Sequence, residues 1–110
     1  MSSKRNLKKQ IRYACGDIAG ECIISSMVDE RIDRKQMEAV VIKVAELQTS
    51  CLEKTNITFD KTPKDFDSIV DYRKAHRHYF AKAFASLRET FNKSVEEIVK
   101  EMNKALPKDK

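Results

Sequence analysis

Cys15, Asp17, Glu21 and Cys22 fall within one eight-residue stretch, Cys15-Gly16-Asp17-Ile18-Ala19-Gly20-Glu21-Cys22. With Cys51, Arg73, His76 and His78 they are the side chains best suited to chemistry. Two thiols and two carboxylates could hold a metal, or supply a nucleophile and its base, so their spacing decides. On a helix Cys15 and Cys22 lie two turns, about 10 Å, apart, beyond the ~7 Å Cα separation a disulfide tolerates. Cys51 leaves an odd count, and no Cys-x-x-Cys spacing marks a zinc site. His76 and His78 are two residues apart and point to opposite sides of a helix. The paired Glu-x-x-His motifs of di-iron bundles do not occur. Cys22 or Cys51 beside His76 could form a nucleophile–base pair, but reduced thiols acting as small core residues account for all three cysteines. No phosphate-binding loop, dinucleotide fingerprint or Gly-x-Ser-x-Gly elbow is found. The sequence therefore offers no catalytic residue, no metal ligand and no cofactor, and a non-enzymatic protein is expected.

Arg73 raises a different possibility. It falls near the centre of the apolar seam of the third helix, and a buried arginine needs a carboxylate or an anionic ligand. With helices one and three parallel, counting from their starts puts Arg73, His76 and Arg77 level with Asp17 and Glu21. An ion pair with Asp17, Glu21 or Glu46 is the simpler expectation. The functional alternative is a small anionic-ligand pocket lined by Tyr72, Arg73, His76, Asp17, Glu21 and Gln48.

Gly16 and Gly20 are the only glycines of the chain. Each costs a helix about 1 kcal/mol relative to alanine, so two, one turn apart, call for a physical reason. Small residues at that spacing let a second helix backbone approach closely. They lie with Tyr13, Ile23, Ile24 and Met27 on the side of helix one opposite its main apolar stripe. A helix apolar on two sides is expected to be covered on two sides, either by tight packing within the monomer or in a homodimer.

The net charge of +5 is unevenly spread. Residues 1–12 carry Lys4, Arg5, Lys8, Lys9 and Arg12 with no acid, whereas residues 13–30 carry Asp17, Glu21, Asp29 and Glu30 with no base. A second basic cluster is Arg73, Lys74, Arg77 and Lys82. These stripes could contact a phosphate backbone. No recognition-helix signature and no interleaved aromatic platform accompanies them, so nucleic-acid binding is the second choice. No apolar run approaches the ~20 residues that span a bilayer, and the charged start lacks the apolar core of a signal peptide. A cytoplasmic protein with no membrane attachment is expected.

The elements that must position these residues are helices. Leu7, Ile11, Ala14, Cys15, Ile18 and Cys22 recur every three or four positions and predict a helix over about 4–28. Asp33 and Gln36 form a capping-box pattern ahead of Met37, Val40, Val41, Val44, Leu47, Cys51 and Leu52, a helix over 34–55 from which Ile42 stands off the stripe. Thr62-Pro63-Lys64-Asp65 reads as a helix start, with an apolar seam continuing to about 105 through Phe66, Ile69, Phe80, Phe84, Leu87, Phe91, Val95, Ile98 and Met102. The fold class expected is all-α: a single domain, residues 1–110, forming an antiparallel up-down-up bundle of three long helices. Ser94 and Glu97 offer a break near Asn92 that would give a four-helix bundle, although the seam keeps its phase there.

Asn6-Leu7-Lys8-Lys9 and the Cys15–Cys22 stretch together resemble the opening of a group of small all-helical proteins of gut Bacteroidales. The resemblance covers the first quarter of the chain. It implies a bacterial, cytosolic helical protein and carries over no site and no activity. The residues themselves assign no activity either. They favour a self-associating scaffold or protein-interaction module, probed first through its oligomeric state.

Overall fold

The alternation of charged and apolar residues at helical spacing resolves into three helices: α1, Ser3–Val28; α2, Arg34–Lys54; and α3, Ile69–Ala105. The computed structural model describes residues 3–106 and the side chains of residues 4–106. Among these no strand occurs. The α1 stripe Leu7, Ile11, Cys15, Ile18 and Cys22 is buried against Met37, Val40, Val44 and Cys51 of α2 and Phe84, Leu87, Phe91, Ile98 and Met102 of α3. Each helix thus contributes one apolar stripe to a shared core, the packing expected of a helical bundle.

The connections follow from local chemistry. Asp33 caps α2: its carboxylate accepts from the backbone N–H groups of Lys35 at 3.0 Å and Gln36 at 3.2 Å. Ile32, just before the cap, is buried and pins the turn to the core. At the other end of α2, the fully buried Thr55 donates its hydroxyl to the Leu52 carbonyl at 2.6 Å. That bond satisfies the buried hydroxyl, and the same carbonyl also accepts from the Thr55 N–H at 3.2 Å.

The third helix differs from expectation at its start, whereas its continuity is as the unbroken apolar seam indicated. Thr62-Pro63-Lys64-Asp65 builds only a single 3₁₀ turn, Pro63–Asp65, closed by the Thr62 N–H donating to the Asp65 carboxylate at 2.8 Å. The backbone is extended at Phe66, whose ring packs on Phe59 and Tyr72. The helix then begins anew at Ile69, where the Ser68 hydroxyl accepts from the Asp71 N–H at 3.1 Å. The alternative of a break near Asn92 is not realised: α3 runs unbroken from Ile69 to Ala105. Phe91 before that point and Ile98 after it are both buried in the one core, so the seam outweighs the Ser94/Glu97 cap signal.

At 1.5 Å per residue α3 is about 55 Å long, in a molecule of 65 × 22 × 19 Å. Its buried residues begin at Phe84, so its first four turns lie outside the main core. They are covered instead by Phe59, whose ring sits 5.3–5.9 Å from those of Tyr72, His76 and Tyr79. Removing the central ring with Phe91→Ala is expected to cost about 3–5 kcal/mol, and removing the cap with Asp33→Ala about 1 kcal/mol. Urea unfolding followed by circular dichroism measures both.

Candidate interaction surface

The second apolar side of α1 is uncovered. Tyr13 is 68% exposed, Ile23 54%, Ile24 60% and Met27 76%. Val28 and, across on α2, Ile42 are also exposed. Of the nine large apolar side chains exposed among the described residues, these six belong to the region of α1 and the start of α2. Scattered exposed apolar residues are ordinary, whereas a concentration of this kind is uncommon on a monomer's surface. Ile23 and Met27 also form one wall of a groove of about 490 Å³ between the end of α1 and the start of α2. Met37, Val41 and Ile42 form the other wall, Cys22 and Ser26 lie between, and Arg34 and Glu38 supply the charged rim.

Gly16 and Gly20 belong to this open side. A Cβ added at either would meet nothing within 4 Å, and neither has positive φ. Tight packing within the monomer, expected as one explanation of the pair, is therefore overturned. Among the described residues no contact offsets their helix-weakening cost.

The pocket expected around Arg73 is only partly assembled. Tyr72, Arg73, His76 and Arg77 line one shallow depression on α3. Asp17, Glu21 and Gln48 take no part in it. Asp17 is exposed on α1, Glu21 accepts from the Ser25 hydroxyl at 3.3 Å, and Gln48 is half-buried on α2. Arg73 is exposed rather than central to the seam, and no ion pair among the described residues includes it. The register explains the correction. Arg88 donates to the Gln10 amide oxygen at 3.3 Å, so α1 meets α3 some fifteen residues beyond Arg73. The expectation aligned helix starts, whereas the start of α3 overhangs. With its guanidinium in water, Arg73 needs no buried partner.

The basic side chains Lys4, Arg5, Lys9 and Arg12 are exposed and Lys8 is half-buried, all on the first half of α1. Arg73, Lys74, Arg77 and Lys82 are exposed on the first half of α3. Interhelical polar contacts include Gln10–Arg88 and that of the Lys43 ammonium, which bonds both carboxylate oxygens of Glu101, at 2.5 and 2.8 Å. Both of these residues are substantially exposed, so the pair contributes at most about 1 kcal/mol.

The cysteines are core, as their spacing indicated: all three are free and buried. Burial, with Cys51 nearby, pushes the Cys15 thiol up to about 11. Burial also raises Cys22, with Glu21 adding to the effect, and raises Cys51 against the opposing pull of Lys54. At neutral pH these groups are thiols rather than nucleophilic thiolates. No group of three or more His, Cys, Asp or Glu side chains among the described residues is placed to hold a metal ion. No helix among them is long and apolar enough to cross a membrane.

Two exposed residues on this surface lay outside the sequence-derived set. Ile42 carried a signal, since it stood off the α2 stripe; Val28 closed α1 and carried none. Comparison with protein-family models, curated proteins and solved structures finds no match to the chain.

Raised thiol pKa values set a pH dependence. The folded state holds Cys15 protonated to about 11, whereas the unfolded thiol ionises near 9.0. The stabilisation is complete below the unfolded value and is lost as pH rises through the folded one. The urea midpoint of the wild type is therefore expected to fall more steeply between those two values than that of Cys15→Ala. A native-state thiol titration should find all three cysteines slow to react with a disulfide reagent and fast in denaturant.

Proposed function

We propose that this protein is a non-enzymatic, self-associating scaffold, an antiparallel up-down-up bundle that forms a homodimer through the outer face of α1. The observation that carries the reading is the concentration of Tyr13, Ile23, Ile24, Met27 and Val28 on exposed α1, with Ile42 across the groove. The open space at Gly16 and Gly20 supports it, because a second helix can approach the backbone there. A standard interface buries roughly 800 Å² on each partner, about a tenth of the 8207 Å² accessible surface. From Tyr13 to Val28 the exposed face runs about 22 Å along the helix, a length suited to such a patch. The up-down-up order is supported by the groove that joins the end of α1 to the start of α2, and by the Gln10–Arg88 and Lys43–Glu101 contacts. The setting proposed is a reducing cytoplasm, in keeping with three free, buried thiols.

A second reading, phosphate-backbone binding, draws on the exposed cations of the first half of α3 beside the rings of Tyr72, His76 and Tyr79. The basic side chains Lys4, Arg5, Lys8, Lys9 and Arg12 of α1 would extend it. A salt-sensitive shift of generic single-stranded DNA, lost in Arg73→Glu/Arg77→Glu, would favour this reading over the first.

The scaffold reading is tested at the α1 face. Ile23→Glu/Met27→Glu is expected to shift gel-filtration elution to a smaller species while keeping the helical circular dichroism of the wild type. Unchanged elution would count against it. Gly16→Ala and Gly20→Ala separate monomer from dimer effects. In the isolated chain each should add about 1 kcal/mol of stability, since the new methyl meets open space. Gly16→Leu should weaken association instead.

A further inference from the structure

We infer that the overhanging first turns of α3 bind single-stranded nucleic acid, with phosphates held by Arg73, Lys74, Arg77 and Lys82 and a base stacked on Tyr79. The inference rests on the phosphate-backbone reading above and names the form of nucleic acid this site takes. Residues 72–88 carry Arg73, Lys74, Arg77, Lys82 and Arg88 without one acid, over about 24 Å of helix. Arg88 is engaged by Gln10. The other four are exposed, and among the described residues none of them takes part in an ion pair. Arg73 and Arg77 lie one turn apart, and so do Lys74 and Arg77, so like charges are neighbours that weaken the helix. The loop folded over the overhang brings Asp60, Asp65 and Asp67, all exposed, but Asp65 accepts from the Thr62 N–H and none of the three bridges to these cations.

Charge alone does not choose among polyanions; the rings beside it do. Tyr79 forms one side of an open depression of about 530 Å³, with Ala75, His78, Lys82, Ala83 and Ser86. Its ring is braced by Phe59 at 5.3 Å and by Phe80 at 5.2 Å, yet the residue remains 38% exposed. A ring held in place loses little freedom when a base settles on it. The short side chains of Ala75, Ala83 and Ser86 leave room beside it, and Lys82 stands one turn along for the adjoining phosphate. Tyr72, Arg73, His76 and Arg77 line a second depression on the same turns, which prolongs the cationic track. Duplex bases are stacked on one another and cannot lie on a tyrosine, so a duplex would meet only the cations. An acidic peptide would also meet only the cations. Rings set among cations are the combination that holds single strands. This is the aromatic platform that the sequence alone does not display, because Phe59 comes to it from the loop after α2.

Fluorescence anisotropy of the full chain with labelled oligothymidylate, and with an abasic strand of equal length, tests the proposal. The abasic strand keeps the phosphates and removes the bases. Oligothymidylate is expected to bind roughly tenfold more tightly, the size of one base–ring stack. Tyr79→Leu, checked for folding by circular dichroism, should abolish that difference, and Tyr79→Phe should keep it. Equal binding of the two strands by the wild type would overturn the stacking while leaving the phosphate-backbone reading intact. A preference for oligothymidylate that survives in Tyr79→Leu would overturn the site assigned here. Polyglutamate binding as tightly as oligothymidylate would point to an acidic protein and overturn the choice of nucleic acid. No binding of either strand at low salt would overturn both the proposal and the reading on which it rests.

Discussion

One helix with two apolar sides is the constraint on which the rest of this structure depends. The stripe Leu7, Ile11, Cys15, Ile18 and Cys22 is almost wholly buried, and α2 and α3 are arranged around it. Burial of such side chains supplies roughly 1.5–3 kcal/mol each relative to exposure, so α1 organises the core. The opposite side is left in water, glycines included, although it is nearly as apolar over its second half. A chain that otherwise avoids glycine has placed both of its glycines on that open side. Within the monomer they only weaken the helix. In the proposed dimer they would let another backbone come near.

The long third helix shows a related imbalance resolved differently. Its first turns extend past the core, where α1 and α2 offer no cover. The loop after α2 folds back and lays Phe59 among Tyr72, His76 and Tyr79, with Phe66 stacked alongside. His76 continues the cluster to Phe80, which leads on to Phe84 in the core. An aromatic chain thus ties the overhang to the bundle without a fourth helix. The neighbouring arginines, left in solvent, carry no burial cost and need no carboxylate.

Periodicity made most of the fold legible. The stripes of α1 and α2, the Asp33 cap and the core role of the cysteines all follow from spacing and residue type. The start of α3 was misread because Thr62-Pro63 is a strong local signal that Phe66 overrides through its ring contacts, a tertiary effect. Ser68, the working cap, is a weaker signal than the Thr-Pro pair upstream. The position of Arg73 depended on interhelical register, which is set by where side chains such as Gln10 and Arg88 meet and not by the length of either helix. The exposed face was legible as a second apolar side. Its openness required the structure, because sequence alone does not say whether α2 or α3 would cover it.

The claim central to this account is that a second copy covers the outer face of α1. Sedimentation equilibrium of the unmodified chain tests it most directly, since its mass is 12.7 kDa. A self-associating chain gives a species of twice that mass that dissociates reversibly on dilution. A single 12.7 kDa species persisting across the concentration range, up to hundreds of micromolar, would contradict it.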